Sequence, residues 1–133
     1  MAWTIVESID RRKNINLLGG TEVLRVKLVC TADAAGTDYD LTSASVKGSY
    51  LYMVKTVPGT AGDAPSGVYQ VQIQDDENTP LLTLAGLSTT ATEINSGSAT
   101  IGVFPPILEK CSFVVNDQVG DANKITVYLY FTK

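Results

Sequence analysis

The sequence predicts an all-β fold, a single-domain antiparallel β-sandwich or barrel of about eight strands. Within several short segments, apolar and polar residues alternate with a period of two. Clusters of glycine, proline, asparagine and aspartate separate these segments. No segment has the apolar spacing of an amphipathic helix. The chain of 133 residues is the size of one domain. We therefore expect residues 1–133 to form one unit, in which the N-terminal strand pairs at a sheet edge or residues 1–13 reach out as an N-terminal arm.

The first half of the chain supplies three predicted strands. The first covers residues 2–9, carries Trp3 and leads into a basic turn at residues 11–13. The third covers residues 49–57, where both faces are largely apolar, as is typical of a central strand or of one covered by a partner. The second covers residues 22–33 and has one apolar face, formed by Leu24, Val26, Leu28, Cys30 and Ala32.

A β-hairpin is predicted at residues 67–86. Three apolar residues alternate with three glutamines over residues 69–74, which gives the first strand one apolar and one polar face. The polar cluster at residues 75–80 favours a turn, and residues 81–84 form the return strand. The hairpin therefore indicates a sheet with one buried face and one wet face.

The last third of the chain is predicted to be β as well. Thr90 and Glu93 match the spacing of a capping box, which favours one helical turn in a polar stretch. Three further strands are predicted at residues 98–104, 111–115 and 124–132. We expect the last two of them to pair as an antiparallel hairpin, because only the turn at 116–123 separates them.

The charge balance argues against nucleic acid and membrane partners. The net charge is −4, and the basic cluster at residues 11–13 is too small for the footprint of a nucleic-acid-binding protein. No apolar run reaches the length of a membrane helix, and the N-terminus does not resemble a signal peptide. The protein is therefore expected to be made and folded in a cytoplasm.

The residues needed for common enzyme chemistry are missing from the sequence. It contains no histidine, no G-x-S-x-G elbow, no phosphate-binding loop and no C-x-x-C motif, so no catalytic residue, metal or cofactor is predicted. Two acidic clusters, Asp33 with Asp38 and Asp40, and residues 75–77, lack calcium-loop spacing and are interpreted as turn residues. Cys30 and Cys111 lie in apolar segments and are expected to be buried free thiols, with a disulfide as the alternative.

The aromatic residues suggest an interaction surface. Two tyrosine pairs, at positions 50 and 52 and at positions 128 and 130, each share a strand face. Such faces are typical of a core edge or a subunit contact, and the alternative is a platform for sugars or bases. Basic residues near the N-terminus would dock on an acidic partner. The candidate interface residues are Trp3, Arg11, Arg12, Tyr50, Tyr52, Tyr128 and Tyr130.

Three segments resemble small virion proteins of tailed bacteriophages: the MAW start, the GVYQVQIQDDEN hairpin running into LLTLAGLS, and the ending GDANKITVYLYF. The resemblance spans most of residues 1–133. It implies a non-enzymatic virion structural protein, a capsid decoration protein that binds the major capsid protein and its own copies, with a homotrimer favoured. The alternative is a carbohydrate- or receptor-binding module of a phage tail. No functional residue is carried over, since the group is defined by architecture.

Overall fold

The computed structural model describes residues 4–13, 22–31, 37–41, 48–65, 67, 69–75, 77–88, 90–96, 106–107, 112–116 and 123–132. Within these ranges ten strands form two antiparallel sheets, which confirms the predicted all-β class. The strands are β1 (Thr4–Lys13), β2 (Glu22–Thr31), β3 (Thr37–Asp40), β4 (Ser49–Pro58), β5 (Tyr69–Gln74), β6 (Pro80–Leu87), β7 (Glu93–Ser96), β8 (Pro106–Ile107), β9 (Ser112–Asn116) and β10 (Lys124–Thr132). One turn of 3-10 helix, Ala61–Asp63, follows β4.

The two sheets pack as a sandwich around one core and do not close into a barrel. The larger sheet has the order β1-β2-β10-β4-β7, with β8 also paired to β4, and the smaller sheet has the order β3-β9-β5-β6. Inward-facing side chains of both sheets form a single buried cluster. Its fully buried members include Leu28, Val127, Leu129 and Phe131 from the larger sheet and Tyr69 and Phe113 from the smaller.

The predicted faces of β2, β5 and β10 are confirmed where the structure describes them. In β2 and β10 every second residue is buried, as the period-two patterns require. β4 lies between β10 and β7, so the prediction of a central strand is also confirmed. Burying each large apolar side chain contributes about 1.5–3 kcal/mol, which makes this alternation the main determinant of register.

The predicted hairpin is present as β5 and β6, and its turn is held by Asp75. The Asp75 carboxylate accepts hydrogen bonds from the backbone N–H groups of Glu77 (2.9 Å) and Thr79 (2.8 Å). The Asp75 backbone N–H donates to the Thr79 carbonyl, and its carbonyl accepts from Asn78. Asn78 has a φ of 61°, a left-handed conformation that asparagine tolerates better than most residues. The polar cluster therefore turns the chain through specific side-chain bonds.

Replacing Asp75 with alanine is expected to lower the free energy of unfolding by about 1 kcal/mol, because two turn N–H groups lose their acceptor. Urea denaturation followed by circular dichroism measures this change. The matched control is Asp75→Asn, which keeps a side-chain oxygen and should cost clearly less. Equal losses in the two variants would contradict the role assigned to the carboxylate oxygen.

The predicted hairpin between the last two long strands is wrong. β9 belongs to the smaller sheet, where it pairs with β3 and β5, whereas β10 pairs with β2 and β4 in the larger sheet. Four consecutive residues of β9, Ser112–Val115, are buried, so both of its faces are covered. A strand buried on both faces is best accommodated inside a sheet, and the connection to β10 crosses from one sheet to the other.

Two local predictions near polar residues are also corrected. Residues 11–13 are not a turn: β1 continues through Lys13 and pairs with β2 along its whole length. The charged end of an edge strand remains compatible with β-structure, because charges there oppose edge-to-edge aggregation. Asp38 and Asp40 lie in β3 and not in a loop.

The helical turn predicted at Thr90 is wrong as well. The Ser88 hydroxyl accepts hydrogen bonds from the N–H groups of Thr90 (3.2 Å) and Ala91 (2.9 Å), and Glu93 accepts from the Ser88 N–H (2.7 Å). These bonds turn the chain directly into β7. The predictions for Trp3, Asp33, Asp76, Cys111 and residues 98–104 lie outside the described residues.

Candidate functional site

The outer face of the larger sheet gathers the predicted tyrosines. Tyr128 lies in β10, and the strand register places it opposite Lys27 of β2 on one side and Lys55 of β4 on the other. Tyr130 lies two residues further along, opposite Arg25 and Met53. We call this surface the tyrosine face, formed by Tyr50, Tyr52, Tyr128 and Tyr130, together with the cationic triad of Arg25, Lys27 and Lys55.

Three cations surround the ring of Tyr128. The guanidinium carbon of Arg25 lies 5.3 Å from the ring centroid, and the ammonium nitrogens of Lys27 and Lys55 lie 5.9 Å and 5.3 Å away. Each such cation–π contact contributes about 0.5–1 kcal/mol at an exposed site. The ring draws three like charges together, so they repel one another and the site favours an anion that would relieve this repulsion.

One carboxylate already meets this cluster. Asp10 of β1 lies 3.6 Å from the Arg25 guanidinium, in register across the β1–β2 pair. Both side chains are more than a third exposed, so solvent screens the pair and its contribution is small. Asp10 is the only acidic residue among the outward register positions of the described β1, β2, β4 and β10. The face therefore keeps an excess of positive charge although the chain is acidic overall.

A β-bulge in β4 places Tyr52 beside Tyr130. The register with β10 shifts between Tyr130, opposite Met53, and Phe131, opposite Leu51, so Tyr52 is the extra residue. The Tyr52 and Tyr130 rings have centroids 6.1 Å apart and are tilted by 59°. This geometry is a favourable aromatic contact. Burial and the neighbouring Tyr130 raise the pKa of the Tyr52 phenol.

Exposed apolar groups extend the tyrosine face at its margins. Tyr50 is 55% exposed, and Ile94 of β7, opposite Lys55 in register, is 61% exposed. Partly buried Met53 lies between these positions along β4. Tyrosine, methionine and arginine are the residue types enriched at the centres of protein interfaces. The composition of this face therefore fits a protein-binding surface.

The sequence-predicted interface residues are only partly brought together. All four tyrosines lie on the outer side of the larger sheet, whereas the sequence predicted only that each pair shares a strand face. Arg11 and Arg12 lie in β1, opposite Leu24 and Val23, and their side chains are outside the described part of the structure, as is Trp3. Sequence reasoning missed the cationic triad.

The sequence did contain a signal for the cationic triad, in the alternation of residues along β2. Arg25 and Lys27 alternate with buried residues of β2, so both had to point away from the core. Their contact with Tyr128 also required the pairing of β2 with β10, which are far apart in the sequence.

The sandwich interior contains a few polar side chains, Thr56, Tyr69 and Cys30, that are not reactive. Tyr69 and Thr56 have buried hydroxyls, and among the described residues neither has a partner with hydrogen-bond geometry. Burial raises the pKa of Tyr69 to about 12; the Thr56 hydroxyl is close enough to oppose this, and Glu93 and Cys30 add to it. Burial also raises the pKa of the Cys30 thiol to about 12, so at neutral pH it is protonated and a poor nucleophile.

Among the described residues, no three histidine, cysteine, aspartate or glutamate side chains come together as a potential metal site. The same residues include no helix with the length and apolar character needed to cross a membrane.

Comparisons with known proteins give no family for this chain. Neither a scan against models of protein families nor a search of the curated proteins finds a match.

Proposed function

We propose that this protein is a non-enzymatic structural protein of a tailed-bacteriophage virion, a capsid decoration protein that binds the major capsid protein and its own copies. The observation that carries the proposal is the tyrosine face, a surface of protein-interface composition on a rigid sandwich. The sequence resemblance to small virion proteins supplies the biological setting. Under this proposal the protein is assembled in the host cytoplasm and ends up in the virion.

The physical requirements of a decorator agree with this fold. A protein that repeats over a shell needs a stiff body whose contacts keep one geometry at every copy. The larger sheet is stiff because its central strands pair on both sides and bury their inward residues. The tyrosine face lies on these central strands, so the backbone that carries its side chains is held by strand pairing on both sides. A rigid aromatic surface loses little conformational entropy on binding, which favours assembly.

A carbohydrate- or receptor-binding module of a phage tail is the second candidate. The tilted Tyr52 and Tyr130 rings favour it, because sugars bind to exposed aromatic surfaces. This candidate requires glycan binding by the isolated chain and only a few copies in each virion. The decoration proposal requires neither glycan binding nor a low copy number.

Copy number in the virion tests the decoration proposal. Quantitative gel analysis of purified virions that carry this gene should find the protein in fixed, high proportion to the major capsid protein. Particles assembled without it should take up the purified chain, and Tyr130→Ala should reduce that uptake. The matched control is Val6→Ala, also on the outer side of the larger sheet but at its edge. A handful of copies, or complete absence from the virion, contradicts the proposal.

A further inference from the structure

We propose that the cationic triad receives the acidic hairpin tip of a second copy of this chain, so that the copies associate head to tail. The acidic hairpin tip is the turn between β5 and β6 that carries Asp75 and Glu77. This inference rests on the proposed function, in which the protein binds its own copies. It names the surfaces through which those copies would meet.

The receiving surface has unneutralised positive charge at a defined point. Arg25, Lys27 and Lys55 all lie within 5.9 Å of the Tyr128 ring centroid, and Asp10 forms an ion pair with Arg25. A carboxylate arriving between the two lysines would relieve the repulsion among the three cations. The Asp10–Arg25 pair shows that this cluster already accepts a carboxylate.

The acidic hairpin tip is suited to bind the cationic triad. Glu77 is exposed, and its backbone is held by the bond to the Asp75 carboxylate. No lysine or arginine occurs anywhere from residue 56 to residue 109, a stretch with six acidic residues. Neither β5 nor β6 carries a lysine or arginine, and the chain carries its complementary charges on different sheets.

The charge distribution favours a second copy over a nucleic acid. Single-stranded nucleic acids bind through open aromatic rings on which bases stack, but the Tyr128 ring is already covered by cations. Three cations would neutralise few phosphates, and the net charge of −4 repels a long polyanion. Both halves of the proposed contact are present in every molecule of the protein at equal concentration.

A contact between two different surfaces of the same chain is heterologous, so it builds a closed ring when the rotation between copies closes. The expected product is a discrete ring, with a trimer the favoured size. Light scattering of the purified chain over a concentration series measures it. High salt should dissociate the ring, because the Debye length falls from about 10 Å at 0.1 M to about 3 Å at 1 M.

Charge reversal identifies the surfaces. Lys55→Glu and Glu77→Lys should each weaken association by at least about tenfold. The double variant K55E/E77K exchanges the two charges and should restore association. The matched control is Lys124→Glu, which changes the net charge equally but lies about 13 Å from Tyr128 along β10. Lys124 pairs only with exposed Asp63 among the described ion pairs, so the control should fold and associate normally.

Several results would overturn this inference. A wild-type chain that stays monomeric at all concentrations would do so, as would equal effects of Lys55→Glu and Lys124→Glu or no rescue in the double variant. A monomer that instead binds a polyglutamate peptide or a single-stranded oligonucleotide through the triad would assign the surface to a different partner. These outcomes leave the copy number in virions untouched, so failure of the inference is distinguishable from failure of the proposed function.

Discussion

Replacing Phe131 with alanine is expected to lower the free energy of unfolding by about 3–5 kcal/mol. The Phe131 side chain is fully buried, at 0% exposure, and its strand register places it between Leu24 of β2 and Leu51 of β4. The substitution removes the transfer free energy of the ring and leaves a cavity that central strands paired on both sides cannot close. Urea denaturation followed by circular dichroism measures the loss.

The matched control for this core substitution is Val6→Ala. Val6 lies on the edge strand β1 and is 61% exposed, so its loss should cost less than about 1 kcal/mol. The slope of the unfolding free energy against urea concentration should stay unchanged in both variants. A cost below about 1 kcal/mol for Phe131→Ala would show that β10 is not the centre of the core.

The faces of the long strands follow from the sequence because they depend on local alternation alone. The inward sets of β2, β5 and β10 are the predicted ones where the structure describes them, since each strand has one apolar side to bury. The same argument failed for residues 11–13, where charge favoured a turn. Pairing with β2 extends β1 through these residues, and that pairing is a tertiary effect.

The neighbours of each strand could not be predicted in the same way. β10 pairs with β2 and β4, whose residues precede it by more than half the chain, and not with β9, which lies next to it in sequence. Periodicity shows which side of a strand is buried, but many sheet orders bury the same side. The choice among them depends on how two complete sheets fill one core.

The candidate site also has a part that local alternation predicts and a part that depends on strand pairing. The tyrosine pairs were found because Tyr128 and Tyr130 share one strand face, a local property. The cationic triad was missed because its members come from β2 and β4 and meet only across β10. The bulge that lets Tyr52 share this face with Lys55, three residues further along β4, has no signal in the sequence, because it arises from the mismatch between β4 and β10.

Raising the pH from 9 to about 12 is expected to destabilise the fold by several kcal/mol, because two buried groups are held neutral. Burial raises the pKa of Cys30 from 9.0 to about 12 and that of Tyr69 from 10.0 to about 12. The unfolded chain therefore loses these protons at lower pH than the folded chain. Both groups contribute their full stabilisation below pH 9. Between the pKa of a group in the unfolded chain and its pKa in the folded chain, its contribution to the unfolding free energy falls by about 1.4 kcal/mol per pH unit.

Urea denaturation at a series of alkaline pH values tests this expectation, with each variant compared with the wild type. Cys30→Ala and Tyr69→Phe each remove one buried titrating group, so each should flatten the fall in unfolding free energy with pH. The matched control Val6→Ala changes an exposed side chain that has no titrating group and should leave the profile unchanged. If the profiles of Cys30→Ala and Tyr69→Phe matched that of the wild type, the folded protein would not hold these groups neutral. Entry of water at Cys30 and Tyr69 would remove the desolvation that raises their pKa values.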